Sequence, residues 1–163
     1  MLLLFERDGE TWLVLTRRTN SVATHKGQIS LPGGTREASD ESLMRTALRE
    51  TEEEIGIPAD QIQVLGKLPQ TPTATSNFNV TPFVGRLAAI PTYRPHEPEV
   101  AEVIEIPVSV LRDPTRICEQ EVVSSRGRIR AEGFCYGRYF IWGATARILR
   151  EFLRISGSED SPF

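Results

Sequence analysis

The chain has 163 residues, 39% of them hydrophobic and 25% charged, with a formal net charge of -3. That length supports one domain with a real core, and the mildly acidic balance excludes a general nucleic-acid or membrane-surface binder while leaving room for a local basic pocket. The two cysteines, Cys118 and Cys135, fit no metal spacing and read as free thiols of a reducing cytoplasm.

The opening MLLLF is too short for a signal peptide or a membrane span, and reads as a strand that begins at once, as if a leading segment were missing. MLLLFERDGETWLVLTRR holds two apolar runs around Asp8-Gly9, a hairpin signal. TNSVATHKGQISLPGGTREAS follows as a long polar loop with a short strand near Gln28 to Leu31, and a loop of that length inside a compact domain is usually functional. From about Asp40 to Ile55 the apolar spacing of Leu43, Met44, Ala47, Leu48, Thr51 and Ile55 predicts a helix. Ser39 or Asp40 would cap it, and Gly56 and Pro58 would end it. QIQVLGKL and FNVTPFVGRLAAI read as strands, the second at an edge or bulged because of Pro82. EVAEVIEIPVSVL is a further strand running into a turn, EQEVVSSRGRIRAEGFCY a second hairpin around Arg126-Gly127, and IWGATARILREFLRI an amphipathic helix with Trp142 in its core. One domain is expected over residues 1–155 and a frayed tail over 156–163, with a mixed sheet between helices.

The stretch RETEEEIG poses a problem, since Glu50, Glu52, Glu53 and Glu54 crowd the C-terminal end of a helix, where the dipole is already negative. At 100° per residue, Glu50, Glu53 and Glu54 share an arc and Glu52 projects away. Converging carboxylates on a rigid helix make a hard-oxygen site suited to Mg²⁺ or Mn²⁺, and a cation turns the repulsion into attraction. The LPGG loop ahead of the helix allows a phosphate to approach its backbone and offers the Gly34 carbonyl to the ion, while Arg49 can hold a carboxylate through a bidentate contact.

GGTREASDESLMRTALRETEEEIGI resembles the Nudix box, G-x5-E-x7-R-E-U-x-E-E-x-G-U, with U a bulky apolar residue. Arg49, Glu50, Glu53, Glu54, Gly56 and Ile57 fall on its second half, and Thr51 stands at a U position. Its early acid is Glu41 counting back from Arg49 and Asp40 counting forward from Gly34. The resemblance implies an α/β/α sandwich of Nudix type and a metal-dependent hydrolase of nucleoside diphosphates linked to another group. LTRRTNSVATHKGQISLPGG is similar to the signature of the coenzyme A pyrophosphatases through Arg18, His25, Gln28, Gly33 and Gly34, and departs from it at Ala23, where the pattern has arginine.

That likeness implies cleavage of coenzyme A into 3′,5′-ADP and 4′-phosphopantetheine with Mg²⁺ or Mn²⁺. Arg18, His25, Gln28, Gly33 and Gly34 would bind substrate; Glu50, Glu53, Glu54 and Gly34 would hold the metal; and Arg49 would orient the acids. The base could be any of these glutamates or a loop acid outside the box, Glu97 or Glu99. Arg17, Lys26 and Arg36 add positive charge near the loop, and Phe78 or Tyr93 could stack on adenine. The partner is then a small nucleotide, for a monomer or a homodimer in the cytoplasm. Two alternatives stay open: hydrolysis of NADH, ADP-ribose or a nucleoside triphosphate, or a sensor that binds nucleotide without turnover.

Overall fold

The computed structural model describes residues 1–19, 27–73, 78–124 and 127–157. Strands β1 (Leu2–Arg7) and β2 (Glu10–Arg18) form the expected hairpin, with Arg7 opposite Glu10. Asp8 and Gly9 both take positive φ, 53° and 76°, the left-handed pair that matches a two-residue turn to the twist of its strands. Strand β3 (Ile29–Ser30) precedes helix α1 (Leu43–Ile55), and β4 (Ile62–Lys67), β5 (Thr71–Pro72), β6 (Asn79–Val80), β7 (Phe83–Leu87) and β8 (Val100–Pro107) follow. A short helix α2 (Val108–Arg112) leads to β9 (Ile117–Ser124), β10 (Gly127–Tyr136), β11 (Tyr139–Trp142) and the closing helix α3 (Gly143–Ser156).

The main sheet is mixed, as expected. One edge of β2 carries β1 and then β3, and the other carries β8, all antiparallel to it. Strand β1 then pairs with β7 in parallel, and β7 with β4 antiparallel. Alternation along β1 and β2 explains the layers. Leu2, Leu4, Leu13 and Leu15 enter one core with Phe134, Ile141, Leu149 and Phe152 beneath α3. Leu3, Phe5 and Val14 enter a second core with Ala47, Leu48 and Ile55 of α1. A strand buried on both faces reads as a continuous apolar run, which is what MLLLF is. The result is an α/β/α sandwich, with a smaller antiparallel sheet β11-β10-β9 beside it.

Several expectations need correction. Helix α1 starts at Leu43, not at Asp40, because Ser42 is its N-cap and accepts a hydrogen bond from the Arg45 N–H. Met44 is exposed, and the buried face is Thr46, Ala47, Leu48, Thr51 and Ile55 together with Glu54. The strand expected across residues 78–90 is divided at Thr81-Pro82, where Pro82 has no N–H for a ladder and its carbonyl accepts from Leu68. Trp142 ends a strand rather than sitting inside a helix. Cys118 and Cys135 are joined in a disulfide, not free. The β9–β10 register puts Cys118 opposite Gly133, two residues from Cys135, a neighbourhood that cysteine spacing does not reveal. The argument from free thiols to a reducing compartment therefore fails. Among the described residues no helix is long and apolar enough to cross a membrane. The expected tail falls mostly on residues 158–163, outside the described residues.

Candidate active site

The loop after β3 folds back along α1, and Asp40 is its anchor. The buried Asp40 carboxylate accepts from Arg49 Nε at 3.1 Å and Nη2 at 3.0 Å, from Thr46 Oγ1 at 2.9 Å and from the Glu37 N–H at 2.9 Å. Arg49 first, then the Glu37 N–H, hold its pKa well below the usual carboxylate range. Arg36 donates twice to the Asp40 carbonyl, so it braces the loop. Glu41 is exposed. The acid that meets Arg49 is thus Asp40, the one found counting forward from Gly34.

Arg49 spends its other donors on the Thr35 carbonyl and on two acids, with Nη1 3.0 Å from Glu53 Oε2 and 3.1 Å from Glu50 Oε1. The expected trio therefore divides into an inner pair, Glu50 and Glu54, and an outer Glu53 whose side chain is 58% exposed. Among the described residues no three acidic, histidine or cysteine side chains gather closely enough to hold one ion.

Glu54 is the most buried acid of the group, 4% exposed. Its Oε2 accepts from the Gly33 N–H at 3.2 Å, and Arg18 Nη1 stands 3.7 Å from its Oε1. Burial, with a further push from Glu50, raises its pKa to about 7 against the pull of Gly33 and Arg18. Burial likewise raises Glu50, partly offset by Arg49, with Glu53 and Glu99 adding to the rise. Two desolvated carboxylates that repel each other are the hard-oxygen donor set a divalent cation relieves, so these residues fit such an ion.

The Gly-rich loop closes tightly on this pair. Gly33 takes a φ of 148°, open to glycine, and a Cβ on Gly34 would lie 2.4 Å from the Glu50 carboxylate. Gly34→Ala should displace Glu50 while α1 stays folded. An ångström of misplacement is worth about 10²-fold, so hydrolysis is expected to fall by that order with the circular dichroism spectrum unchanged.

The negative end of α1 is also capped from outside the helix. Arg94 N–H donates to the Ile55 carbonyl and His96 N–H to the Glu54 carbonyl, both at 2.9 Å. Gly56 closes the helix in a left-handed conformation, φ 73°, with its N–H on the Glu52 carbonyl. The segment that does this carries both loop acids. Glu99 lies near enough for its charge to raise the pKa of Glu50, and its carbonyl accepts from Thr19; Glu97 is an exposed turn residue. The spacing in HEPEVAE carried no signal that distinguished the two.

Other expected residues are dispersed. Arg18 reaches Glu54, and its buried Nε has no hydrogen-bond partner among the described residues. Gln28 instead lines a groove with Arg17, and its carbonyl accepts from the Arg18 N–H. His25, Lys26 and Ala23 lie outside the described residues. Phe78 is exposed on a short ribbon, and the Tyr93 hydroxyl donates to Glu105 at 2.9 Å.

The chain is similar to known proteins in both sequence and fold. A Pectobacterium atrosepticum protein named "Uncharacterized Nudix hydrolase NudL" is 41% identical over 145 residues, covering 88% of this chain and 75% of its own. Among solved structures, a MutT/nudix family protein from Enterococcus faecalis superposes with a TM-score of 0.61 at 17% identity, over 99% of this chain and 62% of its own. The NUDIX domain of Shewanella oneidensis NrtR, solved with ADP ribose, gives 0.51 at 23% identity, over 69% of this chain and 73% of its own. Both structural likenesses speak to the fold. The NUDIX domain family matches residues 1–123, and the chain belongs to that family, the Nudix hydrolases, enzymes that cut pyrophosphate bonds with the help of divalent metal ions.

Proposed function

We propose that this Nudix hydrolase, one domain over residues 1–155, cleaves the diphosphate of coenzyme A or its derivatives into 3′,5′-ADP and 4′-phosphopantetheine. The observation that carries the reading is that the signature stretch ahead of the box converges on the inner acids. Arg18 and the Gly33 N–H both reach Glu54, and Gly34 lies against Glu50. Glu50, Glu54 and the Gly34 carbonyl would hold Mg²⁺ or Mn²⁺, with Glu53 joining them from the rim once it turns away from Arg49. Such an ion neutralises a diphosphate and lowers the pKa of a bound water.

The chain's own groups do the rest. Arg18 faces the site with an Nε that has no hydrogen-bond partner among the described residues, and a guanidinium there would pair with a diphosphate oxygen. Arg49 keeps Glu50 and Glu53 in register with the helix by holding both while anchored on Asp40. Water attacks one phosphorus, and a positioned carboxylate accepts its proton, a task worth about 10² to 10⁴ in rate. Of the two loop acids Glu99 is the better candidate, because its charge is among those that raise the pKa of Glu50.

A second reading keeps the chemistry and changes the substrate to ADP-ribose, NADH or a nucleoside triphosphate. Ala23 in place of the signature arginine favours it, and the Shewanella domain was solved with ADP ribose. Product analysis with coenzyme A, dephospho-coenzyme A, NADH and ADP-ribose in the presence of Mg²⁺ or Mn²⁺ decides between them. Coenzyme A should be cleaved fastest. Faster cleavage of ADP-ribose or NADH overturns the assignment, and metal binding with no turnover of any substrate would make the chain a nucleotide sensor.

A further inference from the structure

A groove of about 370 Å³ opens between β9 and β11 beside the start of β3, and none of its lining residues comes from α1. The active-site acids therefore do not reach it. Two lining side chains, Arg17 and Arg138, are cationic, and among the described residues that line it none is acidic. Both guanidiniums are held by one carboxylate behind them: Arg17 Nε lies 3.0 Å from Glu102 Oε2, and Arg138 Nη2 2.6 Å from Glu102 Oε1. One charge shared between two leaves a local positive balance. The Tyr139 hydroxyl donates to the same Glu102 oxygen, and the Arg138 guanidinium stands over the Tyr139 ring, 5.2 Å from its centroid. Glu102 and Tyr139 thus orient the two cations. The side chain of Arg138 is 72% exposed, and among the described residues only its Nη2 is engaged, so it keeps donors for a ligand. Tyr139 and Trp142 add aromatic surface to the wall.

We propose that this groove is a second phosphate-recognition subsite, which binds a phosphate monoester carried by a nucleotide whose ring packs on the β11 aromatic side chains. The inference rests on the proposed function, the monoester being the 3′-phosphate of coenzyme A. Paired guanidiniums suit such a group because each offers a planar fork of donors to phosphate oxygens. The groove is also adjacent to the diphosphate site. Arg17 and Arg18 are consecutive on β2, so their Cα atoms are about 3.8 Å apart, and Arg18 reaches Glu54 while Arg17 lines the groove. The strand pairing slips between those two residues, a bulge that changes where the next side chain is aimed. Gln28 ties the two places together, lining the groove with its side and accepting from the Arg18 N–H. The cation that Ala23 withholds from the loop is supplied here by Arg138, in the turn between β10 and β11.

The test is calorimetric binding of adenosine 3′,5′-bisphosphate and of AMP to the whole chain. The bisphosphate is expected to bind at least about tenfold tighter, the worth of one charge-assisted hydrogen bond, and Arg138→Gln should bring it down to the affinity of AMP. Arg138 is exposed, so the variant's fold is not at risk; Arg17→Gln is a second probe. Equal affinity for the two nucleotides, or a preference that survives both substitutions, overturns the inference. Hydrolysis assays judge the substrate separately. Coenzyme A cleaved without a bisphosphate preference removes only the groove. A bisphosphate preference lost in Arg138→Gln, in a protein that leaves coenzyme A intact, keeps the groove and removes only the substrate.

Discussion

Glu54→Gln is expected to yield a protein that hydrolyses its substrate about 10² to 10⁴ times more slowly and yet unfolds at a higher temperature in the absence of metal. The two effects have one cause. Glu54 is a buried carboxylate whose charged form is disfavoured first by burial and then by Glu50, so its pKa rises from 4.5 to about 7. A carboxyl that is harder to ionise in the folded chain than in the unfolded one withdraws stability as pH rises. The penalty is absent below pH 4.5, grows up to pH 7 and is then constant at ~3 kcal/mol. Glutamine carries no charge to bury and keeps an oxygen for the Gly33 N–H. The metal-free variant should therefore melt above the wild type at pH 7.5 and with it at pH 4.5. Adding Mg²⁺ or Mn²⁺ should raise the wild type more, because a ligand that binds only the folded state stabilises it by mass action. Glu52→Gln, on the exposed outer face of α1, should change neither rate nor melting. A Glu54→Gln enzyme of normal rate, or one that is slow and also less stable without metal, would refute the assignment.

The sandwich and the acidic helix were legible because each rests on a short-range rule. MLLLF followed by Asp8-Gly9 specifies a doubly buried strand and a tight hairpin, and the spacing of Ala47, Leu48, Thr51 and Ile55 fixes the face that α1 presents to the sheet. What was not legible depends on contacts between distant segments. Nothing local to Arg94 or His96 says that their N–H groups will cap α1, or that Glu99 will thereby come near Glu50. Arg138 and Arg17 lie far apart in sequence and meet only because both find Glu102. Cys118 and Cys135 looked like two stray thiols because their proximity is a property of the β9–β10 register. The convergence of three acids on one arc was a backbone statement; which of them turn inward depends on Arg49, and Arg49 draws Glu53 outward.

Asp40→Asn should lower hydrolysis by about 10- to 100-fold, the usual cost of losing a partner that orients a catalytic or metal-binding side chain, whereas Glu41→Gln should have no effect. Asp40 touches none of the inner acids. It grips Arg49 at Nε and Nη2, takes the Thr46 hydroxyl and ends the loop through the Glu37 N–H. An asparagine fills the same space but cannot accept at both positions, and its amide must turn a donor toward the guanidinium or the hydroxyl. Arg49, released on that side, remains attached to Glu50 and Glu53 and competes with any cation for them. The loss should therefore appear as a higher metal concentration for half-maximal rate before it appears at saturating metal. Stability carries a second signature. A carboxylate whose pKa is depressed contributes above its unfolded value of 3.8 and loses that contribution as pH falls through the lower folded value. Wild type and Asp40→Asn should accordingly differ most in melting temperature near neutral pH and converge in strong acid. Damage from Glu41→Gln instead would assign the early acid of the box to the neighbouring residue and leave Asp40 as a loop brace alone.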